Sequence, residues 1–451
     1  MKNRNIFPWT GTFVLLACFS APISAQEVNL TPSTSTSQVV RVEAWLEGSG
    51  VVIPDQEKTM NLDLEARFQY DERVIARARS LKSIRQYHTA NAKIKLGEHT
   101  STNQLTKQNK IIINQTGSPG EPIKIASLRG PLSQNEFELL NVPANTLILS
   151  EIFERQNARP DDTWKPDSTV LAQFLNIDRV DDSTLEIELK SVKNNVANLV
   201  MSGKVTGSID GAFTEIDVNG SVRFDVKRGL VTQSRFNLSQ QRDMGLMAPG
   251  LEATFKLSTR LSNPDKTTQL TDQGLAALRQ SAGKITDSLI LEPASSAVSL
   301  MHVRDWRVIG DHSQRTIMRY LSKGKMLGQC DIIDLPKRLN NQPQSLEQFK
   351  LVVKEKLASY GVVITGGNQT QTNAGLNVLR VDATGKSKDV DLKWTYFTIT
   401  NNDGRRVQLV FTSEPGAAQA LSGPVNSLVQ SLRFETPTTQ NAGYRKPATG
   451  Q

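Results

Sequence analysis

Long runs in which apolar and polar residues alternate strictly constrain this chain more than any other feature. In EIDVNGSVRFDVKRGLV, residues 215–231, Ile216, Val218, Val222, Phe224 and Val226 alternate with Asp217, Asn219, Ser221, Arg223, Asp225 and Lys227. KTMNLDLEARFQYDER places Met60, Leu62, Leu64, Ala66, Phe68 and Tyr70 on one side, and VVRVEAWLEG does the same with Val40, Val42, Ala44 and Leu46. A period of two sends successive side chains to opposite faces of a strand, one buried and one wet. Antiparallel sheets accommodate that division; parallel sheets are buried on both faces. The spacing therefore predicts long antiparallel strands.

From residue 184 these runs follow one another as STLEIELKSV, NVANLVMSGKVTGSIDG, TEIDVNGSVRFDVKRG, LVTQSRFNLSQ and GLEATFKLSTRLS. Asp210-Gly211 and Arg228-Gly229 supply turns, so the stretch reads as a meander. Before it lies a helical interlude. GPLSQNEFELLNVP carries Ser133 and Glu136 at capping-box spacing, which starts a helix. PANTLILSEIFER and DSTVLAQFL are short apolar-faced helices, joined by PDDTWKPD, a turn-rich link holding Trp164. Residues 39–262 are thus expected to form an antiparallel β-rich domain, a curved sheet or half-barrel with interposed helices.

Residues 263–293 break the rhythm and read as a linker with a weak Ala/Gln-rich helix. The part from 294 to 434 mixes element types. A hairpin is expected about residues 322–325. QSLEQFKLVVKEKLASYG is a helix with Ser345 and Gln348 as a capping box, Leu346, Phe349, Val353 and Leu357 as its stripe, and Gly361 as its stop. LNVLRVDATGK, DLKWTYFTITNNDGR and RRVQLVFTSEP are strands, the last two closed by Asp403-Gly404. GAAQALSGPVNSLVQSLRF is a final helix running into a short strand. The class is α+β. The Ser/Thr-rich lead-in 26–38 and the Pro/Thr/Gly-rich tail 435–451 are expected to be disordered.

The first 25 residues have the layout of a signal peptide: Lys2 and Arg4, the apolar run TFVLLACF, then small residues before a cut after Ala25. The apolar run is too short to span a bilayer, and no later segment is long or apolar enough. Export to the periplasm or the exterior is the expectation; an uncut anchor, or lipid attachment at Cys18, is less favoured. With Cys18 removed, Cys330 is alone and no internal disulfide can form, so the fold relies on its apolar core. Cys330 lies in KMLGQCDIIDL, where a buried inert thiol is the expectation.

The chain carries a formal charge of +8. The densest basic run, RVIARARSLKSIR, holds Arg73, Arg77, Arg79, Lys82 and Arg85 with no acid. It could meet an anionic surface, but a solvated amphipathic segment is the favoured reading. No aromatics interleave with the bases as single-strand nucleic-acid binding requires, so no nucleic-acid partner is expected. His88, His99, His302 and His312 are not at metal-ligand spacing, and no nucleophile elbow, phosphate loop or dinucleotide fingerprint occurs. DVNG and NNDG sit at turns rather than in calcium loops. Trp45, Trp164, Trp306 and Trp394 are expected to be core anchors. No catalytic, cofactor-binding or metal residue is assigned, and no cofactor.

Two resemblances add to this. MHVRDWRV, GQCDIIDLP, SLEQFKLVVKEKL, VDLKWTYFTITNNDGRRVQLVFTSEP and LVQSLRF, across 299–434, resemble the PsbP-like α/β/α sandwich of photosystem-associated and bacterial envelope proteins. The resemblance implies binding or assembly roles and no catalytic residue. FQYDER, GPLSQNEFELLNVPANTLIL, PDDTWKPD, MSGKVTGSIDGAFTEIDVNGSVRFD and RDMGLMAPGLEATFKLS resemble a family of uncharacterised exported bacterial β-rich proteins. The layout also resembles periplasmic lipoprotein carriers, by architecture only.

Function is therefore expected to be non-enzymatic binding or assembly in the bacterial cell envelope, with an envelope protein as partner. The alternative is a carrier of a lipid or other apolar ligand, held under the helices at 133–140 and 146–153. Unfilled apolar lining there would favour the carrier, and a filled core would oppose it. An enzyme with a site scattered along the sequence is a third class.

Overall fold

A computed structural model describes residues 27–435 apart from 56–57, 78–79, 118–120, 265–267, 282–286, 323 and 339–343. The expected signal segment with its cut site and Cys18, Gln26, and residues 436–451 of the expected tail lie outside the described residues.

The alternating runs become one antiparallel sheet of thirteen strands. Its centre is Gly250–Ser262, Val39–Asp55, Lys58–Ala76 and Lys82–Leu96, paired in that order. The meander Val196–Ile209, Ala212–Asp225 and Leu230–Arg242 extends one flank. Gly250–Ser262, which follows Leu230–Arg242, pairs back onto Val39–Asp55, so the two ends of the β-rich part lie side by side. Ile216, Val218, Val222 and Phe224 are buried as the alternation requires, while Asp217, Asn219 and Arg223 stay exposed.

The inner face is covered by Gln134–Leu140, Thr146–Leu149 and Ser168–Leu175. Both halves of the Ser133/Glu136 capping box form, and Asp167 caps the third helix. Leu140, Leu149, Phe153 and Phe174 join Phe68, Phe224 and Phe236 in one core. The rings of Phe174 and Phe236 meet edge to face at 5.0 Å.

Two expectations are corrected here. The lead-in 26–38 is held in place over its described residues. Val28–Leu30 pairs with Arg155–Ala158, Leu30 is fully buried, and Ser33 N–H donates to the Gly229 carbonyl at 2.7 Å. Its Val and Leu give enough buried apolar surface to order a polar stretch. Gly229 has φ +63°, and a Cβ there would lie 2.7 Å from Thr31 O and Ser33 N. Gly229→Val is expected to lower stability by about 1–3 kcal/mol. Limited proteolysis should then cut within 27–38 first; an unchanged cleavage pattern would count against this docking. The second correction is Trp45, which is no core anchor. It is 39% exposed because it alternates with the buried Val42 and Leu46 and so points to the outer face. Trp164, Trp306 and Trp394 are buried.

The stretch expected as a linker does more than connect. It carries the helix Asp272–Ser281, and Leu270, Leu275 and Leu278 pack on Ile84, Ile111, Ile113 and Leu128 of the outer face. Arg73 fastens it there, donating to Leu270 O at 2.9 Å and to Asp272 at 2.5 Å, with Thr36 O accepting at 2.7 Å.

The C-terminal part is an α/β/α sandwich. Its seven antiparallel strands run Trp306–His312, Arg315–Ser322, Lys325–Leu335, Arg406–Ser413, Val390–Thr400, Asn377–Ser387 and Val363–Gln371 across the sheet. Leu346–Lys356 packs on one face over Val381, Tyr396 and Val410. Ala418–Ser431 packs on the other over Ile399, Leu409 and Phe411. Cys330 is buried and unpaired, and burial pushes its thiol well up. A four-stranded sheet joins the two parts: Leu132–Ser133 lies parallel to Leu289–Leu291, which pairs with Val298–His302, which pairs with Arg433–Phe434.

Candidate functional site

The densest gathering of buried polar side chains lies where the strands Lys58–Ala76 and Lys82–Leu96 pass under Thr146–Leu149. An extra residue, His88, shifts the register between these strands. The shift turns Ser83, Arg85 and Tyr87 inward, beside Tyr70 and Glu72. Glu72 accepts from Ser83 Oγ and Arg85 Nε, both at 2.7 Å, and from Thr146 Oγ1 at 2.5 Å. Arg85 also donates to Asn145 Oδ1, and its guanidinium lies 4.8 Å over the Tyr70 ring. The Tyr70 hydroxyl meets Thr146 Oγ1 at 2.9 Å. Glu72 and Arg85 are both nearly inaccessible.

The chemistry of this cluster is closed. The acceptor oxygens of Glu72 are engaged by three donors, two on Oε1 and one on Oε2, so both are held by neighbouring side chains. Burial pushes the Tyr70 and Tyr87 hydroxyls above the ordinary phenol range, with Arg85 opposing, which leaves them protonated. An ion pair saturated in this way fixes geometry rather than moving protons. The basic run expected as a solvated segment is corrected by the same contacts: Arg73 and Arg85 are buried and paired, and Arg77 binds Glu151 at 2.8 Å. Arg77 and Arg85 turn towards the helices of the inner face, and Arg73 is covered on the outer face by the stretch 268–272.

Beside this cluster the helices meet the sheet almost without a gap. The cleft bounded by Leu46, Phe68, Tyr70, Leu140, Val142 and Leu257 has a volume of about 30 Å³. That is room for one or two waters, against several hundred Å³ for a ligand pocket. The larger concavities are open to solvent. One of about 310 Å³ is lined by Glu47, Asp63, Glu65, Lys93, Lys95 and Lys256, and a neighbour of about 300 Å³ by Glu215, Asp217 and Glu252 among others. Both belong to the outer face of the large sheet.

The four histidines remain apart. His88 faces Asp71 at 3.2 Å, His302 is buried in the sheet joining the two parts, and His99 and His312 are exposed. Among the described residues no group of His, Cys, Asp and Glu is placed to hold a metal ion. Burial alone would raise the Asp71 carboxyl, but hydrogen bonds from Arg41, Thr268 and His88 hold it below its usual range.

At the junction, HVRDWR of the C-terminal part reaches into the N-terminal part. Arg304 donates to the Ile125 carbonyl and lies 4.5 Å over the Phe137 ring, and Arg307 donates to Asp210 at 2.9 Å. In the sequence this run stood only as the entry to the C-terminal resemblance. Its two arginines, three positions apart with Asp305 and Trp306 between them, were the available sign of a contact.

No protein-family model matches the chain, and no curated protein matches it. Among solved structures it is similar to the cyanobacterial PsbP protein, CyanoP, of Synechocystis sp. PCC 6803. The identity is 7%, covering 33% of this chain and 92% of that one, with a TM-score of 0.27. Lipovitellin, in a structure concerned with lipid–protein interactions, is 11% identical over 52% of this chain and 26% of its own, with a TM-score of 0.32. The type VI secretion immunity protein TplEi of Pseudomonas aeruginosa is 9% identical over 56% of this chain and 95% of its own, with a TM-score of 0.21.

Proposed function

We propose that this is an exported, non-enzymatic binding or assembly protein of the bacterial cell envelope, working through its surface rather than through an internal cavity. The filled space under the helices supports this reading most. A carrier needs a lined void of ligand size, and the cleft there is about 30 Å³. The buried ion pair beneath those helices is saturated by neighbouring side chains and offers no group to a substrate. The open face of the large sheet and the sandwich of the C-terminal part are what remain for contact.

Native mass spectrometry of protein purified from its own host tests the reading. A stoichiometric protein partner is the expected result. A co-purifying lipid retained inside a folded monomer would restore the carrier.

A further inference from the structure

The outer face of the large sheet, away from the helices, carries a positive cluster assembled from four strands. Register sets Arg67 opposite Trp45, Trp45 opposite Ser258, and Ser258 opposite Arg235. One row along, Arg260 and Arg223 both lie opposite Gln233, on either side of it. Arg235 is therefore the diagonal neighbour of both Arg223 and Arg260, about 7–8 Å from each where the side chains leave the sheet, and those two flank Gln233 two strands apart. All four arginines are exposed, and among the described residues none has a side-chain partner. In these two rows the facing acid is Glu43, directly opposite Arg260 and already accepting from Gln69 at 3.3 Å. In the next row Glu47 and Glu65 are balanced by Lys93 and Lys256. The net excess sits over Gln233 and Ser258, with Trp45 beside it, and the acids Glu215, Asp217 and Glu252 lie towards the other end of the face.

We propose that this face docks the protein onto a lipid surface bearing anionic headgroups. The arginines at diagonal positions repel one another weakly through solvent, and anions laid over them neutralise that repulsion. The guanidinium fork matches phosphate oxygens, and an indole settles at the headgroup level of a bilayer. The strands hold these side chains on a rigid plane, so little ordering is needed on contact. No helix among the described residues is long and apolar enough to cross a membrane, and the docking is peripheral. This inference rests on the surface-binding reading above and gives it a partner chemistry.

The test is co-sedimentation of the purified protein with phosphatidylcholine vesicles, with and without phosphatidylglycerol. Binding to the phosphatidylglycerol vesicles alone is expected, weakening as salt rises. Arg223→Gln/Arg235→Gln/Arg260→Gln should lower that affinity by about a hundredfold, at about 1 kcal/mol for each charge removed. Its melting temperature should be unchanged or higher, which separates lost binding from lost folding. Trp45→Ser should abolish the fluorescence blue shift on binding. Equal binding to both vesicles, or full binding by the triple variant, would overturn the proposal. So would protection against melting by inorganic phosphate without vesicle binding, which marks a free-anion site. If vesicles fail while native mass spectrometry still finds a protein partner, the lipid inference falls and the surface-binding reading stands.

Discussion

Arg85→Met is expected to lower the unfolding free energy by about 3–5 kcal/mol, because it strands the Glu72 carboxylate in an apolar core. Glu72 loses one of its three donors, and the removed cation also leaves the Tyr70 ring and Asn145 without their partner. The double variant Glu72→Leu/Arg85→Met should lose much less, since both buried charges go together and methylenes replace them. Urea titration followed by circular dichroism measures the difference. A loss in the double variant equal to the sum of the losses of Glu72→Leu and Arg85→Met alone would mean that the pair is not coupled, and that the cluster is not the closed unit described above. Thr146 makes the comparison sharper. It links Glu72 to the helix Thr146–Leu149, so the damage should spread to the helices that fill the inner face.

Acidification from pH 6.5 to about 4 should weaken the fold by roughly 3 kcal/mol through His302 alone. This ring is 3% exposed, and its Nδ1 lies 3.0 Å from the Val303 carbonyl. Burial is the main cause that pushes its pKa down, to about 4, and the nearby Arg307 adds to it. The unfolded chain therefore takes up a proton at a higher pH than the folded one. Stability from this group is complete above the unfolded value, falls through the window, and is level again below about 4. Other groups titrate in the same range. Asp71 and Glu136 are lowered and also lose stability in acid, whereas Glu138, Glu151 and Asp178 are raised by burial and gain it. The measurement is therefore a difference between wild type and His302→Asn. The two stability curves should converge towards pH 4 and separate above it. Parallel curves would show that folding leaves the His302 pKa unshifted.

Much of the fold was legible because period-two alternation is a local signal. It located the long strands, and both capping boxes marked their helices correctly. It could not show which residues lie side by side across strands, since register is set by pairing and turns. The arginine cluster is the clearest case: Arg67, Arg223, Arg235 and Arg260 are each unremarkable in sequence. Conversely, the conspicuous run around Arg73 and Arg85 is buried, because a one-residue register shift at His88 turns part of it inward and residues 268–272 cover the rest. Trp45 was misplaced for a related reason. Tryptophan is buried often enough to be read as core, yet its own strand's alternation placed it opposite Val42 and Leu46. The edge strand Val363–Gln371 was missed because Gly366, Gly367 and a polar run carry no buried face.

The small sheet that joins the two parts imposes an order in time. Val298–His302 waits for Arg433–Phe434, which the ribosome delivers on the order of ten seconds later. Leu132–Ser133 waits still longer for Leu289–Leu291. Until the last strand arrives, the chain presents unpaired backbone to whatever meets it. A nascent chain of this kind is a natural client for a holding chaperone, and cannot finish folding until Phe434 has been made.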